Sequence, residues 1–110
     1  MRALAVQAGL SLVDQTKVVT AASELARNMV DYAGGGSVDL ELLAGVRSGV
    51  RLTFEDQGPG IKDIEAAMRD GYTTGGGLGL GLGGAKRLCN EFKLESTPGA
   101  GTRIVCARWK

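Results

Sequence analysis

The chain has 110 residues, 44% of them hydrophobic and 23% charged, enough for one domain with a single core and too few for two. Its net charge of +1, with lysines and arginines scattered among the acids, argues against a surface built for non-specific nucleic-acid binding. No apolar run approaches the roughly 18 residues of a membrane span, and "MRALAVQAGL" lacks the layout of a signal peptide, so a cytoplasmic protein without membrane contact is expected.

Residues 2 to 8 read as the end of a helix, stopped by Gly9 in a left-handed cap. "SLVD" then offers Ser11 or Asp14 as the N-cap of a second helix running to about Ala33. On a helical wheel Val18, Ala22, Leu25, Met29 and Ala33 form its apolar face, with Lys17, Thr20, Glu24, Arg27, Asn28 and Asp31 opposite. The glycines at 34 to 36 end it. "VDLELLA" (38 to 44) and "VRLTFED" (50 to 56) alternate apolar and polar residues, and the short connection between them predicts an antiparallel hairpin.

"DQGPGI" breaks the second strand abruptly. A short helix at about 63 to 69, a glycine stretch, a helix from about 80 to 91 and strands near 92 to 97 and 102 to 109 follow, with "TPGAGT" as the last turn. This order predicts an α/β fold of the α+β kind: a two-layer sandwich with helices on one face of a mixed, mostly antiparallel sheet. Cys89 and Cys106 fall in segments expected to be buried, have no CxxC spacing and meet no histidine, which points to reduced core thiols and away from zinc. Without histidine, acid/base chemistry falls to carboxylates, lysine, tyrosine or cysteine.

The stretch "GGGLGLGLGGAKRL" (75 to 88) places seven glycines in its first ten positions. A glycine inside an element loses about 0.5–1 kcal/mol relative to alanine, so such a run needs a reason. A Walker loop requires lysine directly after its second glycine, but Ala85 separates Gly84 from Lys86 and Arg87 stands where a hydroxyl belongs. Gly79, Gly81 and Gly84 have dinucleotide-fingerprint spacing, yet no strand precedes them. Glycines that bare backbone N–H groups before a helix still make an anion site, and phosphate is the expected ligand. A flexible linker is the alternative, weakened by the interleaved Leu78, Leu80 and Leu82 and by the helix that follows.

Three further features are individually weak. Glu24 and Asn28 stand one helical turn apart on one face, where an amide oxygen could meet magnesium and a carboxylate the reacting phosphate; a polar stripe on such a helix is ordinarily its solvated face. Asp56, ending a hydrophobic strand before Gly58 and Gly60, could accept from an exocyclic amine while a flat ring lies on bare backbone, although Asp, Gly and Pro also make ordinary turns. Thr102 could add a hydroxyl, or be plain strand composition.

Their order is more specific than any one of them. E-x-x-x-N on a helix, D-x-G-x-G after a strand, a glycine-rich segment leading into a helix and G-x-G-T resemble the GHKL family of ATP-binding domains over nearly the whole chain. The stretches "ASELARN", "DQGPGI", "DGYTTGGGLGLGL", "AKRL" and "NEF" look most like its small bacterial switch kinases, of the RsbT type. The resemblance implies a Bergerat-type ATP-binding fold and a serine/threonine protein kinase using ATP and Mg2+, with a STAS-domain protein as substrate. A sigma factor or phosphatase as further partner and a homodimer are also implied. It implies Glu24 as general base, Asn28 as magnesium ligand, and Asp56, Gly58, Gly60, Ile61 and Thr102 around the adenine. Gly77, Leu78, Gly79, Leu80, Gly81 and Leu82 would close over the phosphates. Relatives usually begin with a strand ahead of the first helix, whereas this sequence starts inside that helix, so either it is truncated or the sheet lacks that edge strand. An anti-sigma binding module gated by ATP or ADP is the rival reading from the same fold.

Overall fold

Gly9 and Ser11 split the N-terminal helical sequence in two. In the computed structural model, which describes residues 2–45, 48–61 and 81–109, helix α1 (Arg2–Gln7) ends at Gly9, whose φ of 80° gives the left-handed stop expected there. Helix α2 (Leu12–Ala33) starts at Ser11, not Asp14: the Ser11 hydroxyl accepts the Asp14 N–H at 3.1 Å. Asp14, in the first turn, is thereby left to pair with Arg108 of the last strand, with Arg108 Nη2 2.7 Å from Asp14 Oδ1. Gly34, at φ 76°, closes α2 by donating to the Val30 carbonyl.

Strands β1 (Ser37–Leu43), β2 (Gly49–Asp56), β3 (Glu91–Thr97) and β4 (Gly101–Trp109) form a sheet of order β1-β2-β4-β3. Every pairing in it is antiparallel, so the mixed component of the expected sheet is absent among the described residues. Helix α3 (Gly81–Arg87) precedes β3. The helix expected at 63 to 69 and residues 75 to 80 of the glycine stretch lie outside the described residues.

Period-2 alternation decides the faces. Val50, Leu52 and Phe54 of β2 point to the helix side with Ile104 and Cys106 of β4, and there meet Val18, Ala21 and Leu25 of α2, Ala5 of α1 and Leu82 and Ala85 of α3. On the opposite face Arg51 reaches over Ala107, its guanidinium 3.5 Å from Glu41 and 3.4 Å from Glu91, and Arg103 lies 3.6 Å from Glu55. These ladders keep one face of the sheet polar while its small residue Ala107 stays buried. On β1 the helix-side residues Val38, Leu40 and Leu42 remain exposed, because α1 and α2 pack over β2 and β4.

One boundary differs from expectation. The helix predicted to reach residue 91 stops at Arg87, and Leu88 and Cys89 close it with N–H bonds to the Ala85 and Lys86 carbonyls at 3.1 and 3.2 Å. Asn90, just ahead of β3, is already tied to β4: its N–H donates to the Ala107 carbonyl at 2.8 Å and its side-chain oxygen accepts the Trp109 N–H at 2.9 Å. Ladder bonds to β4 outweigh another half-turn of helix.

Candidate functional site

Helix α2 carries the first half of the site. Glu24 and Asn28, expected on the face opposite the core, are only 3% and 6% exposed. The buried arc runs through Val18, Ala21, Glu24, Leu25 and Asn28, so the helix is rotated from the orientation its apolar residues suggest. The physical reason is a second neighbour: α2 packs against α3 as well as the sheet, and Leu82, Gly83, Gly84 and Ala85 of α3 are all buried. The plain solvated-stripe reading of Glu24 and Asn28 is therefore wrong. Both amide atoms of Asn28 are buried with no hydrogen-bond partner among the described residues. Burying an amide unpaired costs about 1–3 kcal/mol, so this position calls for an explanation beyond packing.

The second half lies at one end of the sheet's helix side. Asp56, Thr102 and Ser96 are register partners across β2, β4 and β3, and so form a polar row on the face whose next row, Phe54, Ile104 and Leu94, is apolar. Asp56 Oδ1 accepts the Gly58 N–H at 2.9 Å, which fixes the carboxylate and leaves its second oxygen for a donor such as an amine. The Ser96 hydroxyl accepts the Ile61 N–H at 2.7 Å, lies 2.9 Å from the Thr102 hydroxyl and donates to the Gly101 carbonyl at 3.2 Å. Pro59 adds a third tie, its carbonyl accepting the Gly99 N–H at 2.7 Å.

Residues 57 to 61 are thus fastened to the β3–β4 hairpin and to the end of α2. A Cβ at Gly58 would fall 2.5 Å from the Ala33 Cβ, so only bare backbone fits against the helix. Gly60 has φ 76° and its added Cβ would run into the Thr97 carbonyl, so glycine is needed on two counts. Gly36 stands between Met29 and Asp56, where a Cβ would lie 2.7 Å from Met29 Sδ and 3.1 Å from Asp56 Cβ. The turn of α2 that follows Asn28 therefore adjoins the Asp56 wall.

Of the residues expected at a nucleotide site, the structure places Glu24, Asn28, Asp56, Gly58, Gly60, Ile61 and Thr102 on these two adjoining walls, and Gly81 and Leu82 at the start of α3. Gly77, Leu78, Gly79 and Leu80 lie outside the described residues. Sequence reasoning missed Ser96; its only signal is the register that sets it opposite Thr102, invisible until β3 and β4 are paired. Cys89 and Cys106 are free thiols, Cys106 buried and Cys89 half-buried, and take no part in either wall.

The donor set suits a nucleotide: a bare-backbone platform beside a carboxylate acceptor and a hydroxyl, next to a buried amide without a partner among the described residues. Residues 13–110 match the family described as histidine kinase-, DNA gyrase B- and HSP90-like ATPases, and the chain belongs to that family. It is 49% identical to the serine/threonine-protein kinase RsbT of Bacillus subtilis (strain 168), over 98% of this chain and 82% of that one. It is 31% identical to the anti-sigma F factor of Thermoanaerobacter sp. (strain X514), over 97% of this chain and 78% of that one. Among solved structures, a mycobacterial sensor histidine kinase, MprB, shares 20% identity with a TM-score of 0.53 over 87% of this chain and 70% of that one, a likeness of fold. No helix among the described residues is long and apolar enough to cross a membrane.

Proposed function

We propose that residues 1–110 form a single ATP-dependent serine/threonine protein kinase domain that phosphorylates a STAS-domain regulatory protein in a bacterial partner-switching or stress-signalling pathway. The observation that carries this reading is the buried Glu24/Asn28 pair on α2, with an amide that lacks partners among the described residues. The 49% identity to a relative named as a serine/threonine-protein kinase supports the reaction type.

In the reaction the substrate hydroxyl oxygen bonds to the γ-phosphorus of ATP, the bond from that phosphorus to the β–γ bridging oxygen breaks, and ADP leaves. Glu24 takes the proton released by the hydroxyl. Asp56 accepts from the adenine amine, Gly58, Gly60 and Ile61 support the ring, and Thr102 adds its hydroxyl. Backbone N–H groups of residues 77 to 82 hold the phosphates. The Asn28 amide, unpartnered among the described residues, offers an oxygen ligand that fits magnesium, which when bound neutralises phosphate charge. The test is incubation with Mg·ATP and a STAS-domain protein of the same organism, read by intact mass. A gain of one phosphate on that protein is expected; none on any STAS partner overturns the reading.

The 31% identity to anti-sigma F factors favours one alternative, a nucleotide-gated module that binds a sigma factor. Co-purification with a sigma factor, without phosphate transfer to a STAS protein, is its signature.

A further inference from the structure

We propose that Ser96 is a positioning residue for adenine, acting through two neighbours. Its hydroxyl oxygen meets both the base-binding loop, at Ile61, and the base-binding strand, at Thr102. The Ile61 N–H, 2.7 Å away, can only donate to it, and that bond anchors the far end of the loop whose near end is fixed by Asp56 and Gly58. The Thr102 hydroxyl, 2.9 Å away, shares one proton with it in either direction, so Thr102 is held in a defined rotamer beside Asp56. The single Ser96 proton reaches Gly101 or Thr102, and every polar capacity of this side chain is spent within the platform.

Alanine at 96 leaves the half-buried Ile61 N–H without its acceptor and the Thr102 hydroxyl without its neighbour. Neither Ile61 nor Thr102 is among the groups assigned above to the phosphates, magnesium or the substrate proton, which fall to residues 77 to 82, Asn28 and Glu24. The inference rests on the nucleotide reading of the site, and its effect is confined to the base end. That confinement separates it from a general loss of folding, which would weaken every part of the site.

The test compares wild type, Ser96→Ala and Ser96→Thr by titration with ATP and ADP, with and without magnesium, alongside hydrogen exchange of the Ile61 amide. Expected for Ser96→Ala is a loss of about three- to tenfold in affinity, equal for both nucleotides and independent of magnesium. The Ile61 amide should exchange faster, KM for ATP should rise, and kcat at saturation should stay within about twofold. Ser96→Thr, which keeps the hydroxyl on a strand that accepts β-branched residues, should restore affinity and protection. The proposal is overturned by unchanged affinity, or by a loss that depends on phosphate number or on magnesium. Failure of the wild type itself to bind either nucleotide would instead overturn the reading of the site.

Discussion

At the scale of single residues, the proposed magnesium ligand Asn28 carries a stability cost. Its amide is buried without a hydrogen-bond partner among the described residues, a penalty of about 1–3 kcal/mol that an apolar side chain of similar size would not incur. Asn28→Leu should therefore raise the urea midpoint of the nucleotide-free protein by the equivalent of about 1–2 kcal/mol while removing the magnesium dependence of ATP binding. A variant less stable than wild type would show that the amide is satisfied in solution. Glu24, one turn earlier, has a different task in the proposed reaction: Glu24→Ala should lower turnover by about 10²–10⁴-fold with ATP affinity kept. Normal phosphate transfer by that variant would remove Glu24 from the base role.

Between elements, the Asp14–Arg108 pair joins the first turn of α2 to the end of β4, at 2.7 Å and only partly exposed. The hydrogen bond from Arg108 holds the Asp14 carboxyl below its ordinary value of 3.8, against the opposing pull of desolvation. A depressed folded-state pKa means that the pair stabilises fully above the unfolded value near 3.8 and loses that contribution as pH falls through the lower folded value. Urea unfolding of wild type and Asp14→Asn should differ by about 1 kcal/mol near neutral pH, and the gap should shrink below about pH 4. A gap that persists undiminished to about pH 2 would mean that the lost energy is packing, not charge. The element scale is also where the sequence is easiest to read. Ser11, Gly9 and the glycines after Ala33 are local punctuation, and the alternation of 38 to 44 and 50 to 56 is local periodicity, so the first two helices and the hairpin follow from short-range chemistry. The end of α3 does not, because Asn90 is claimed by bonds to Ala107 and Trp109 that no local pattern announces.

Across the whole molecule, the core lies between α2 and the two central strands, and the rest of the apolar surface counts for less. Leu52 is fully buried on β2, whereas Leu40, its register partner on β1, is 50% exposed on the same face. Leu52→Ala should cost about 2–5 kcal/mol in chemical denaturation and Leu40→Ala less than about 1. Comparable losses at both positions would mean that β1 is covered in solution. The same asymmetry explains the misplaced helix face. Counting apolar residues on α2 centres its buried arc on Val18, Ala22 and Met29, but the arc observed includes Glu24 and Asn28, because a helix wedged between a sheet and another helix buries a wider sector than its leucines and valines mark.

By itself, then, the sequence determined the order of the described elements, the glycine stops of the first two helices, the hairpin, the α+β class and the chain's membership of an ATP-binding family. These depend on spacing along the chain and on the conformational limits of single residues, both written locally. Only the tertiary structure decided that Glu24 and Asn28 are interior, that the described sheet is wholly antiparallel, and that Ser96 joins Ile61 to Thr102. Each of those rests on contacts between segments far apart in sequence, where burial and hydrogen-bond satisfaction are settled by what packs opposite and leave no mark in the local pattern.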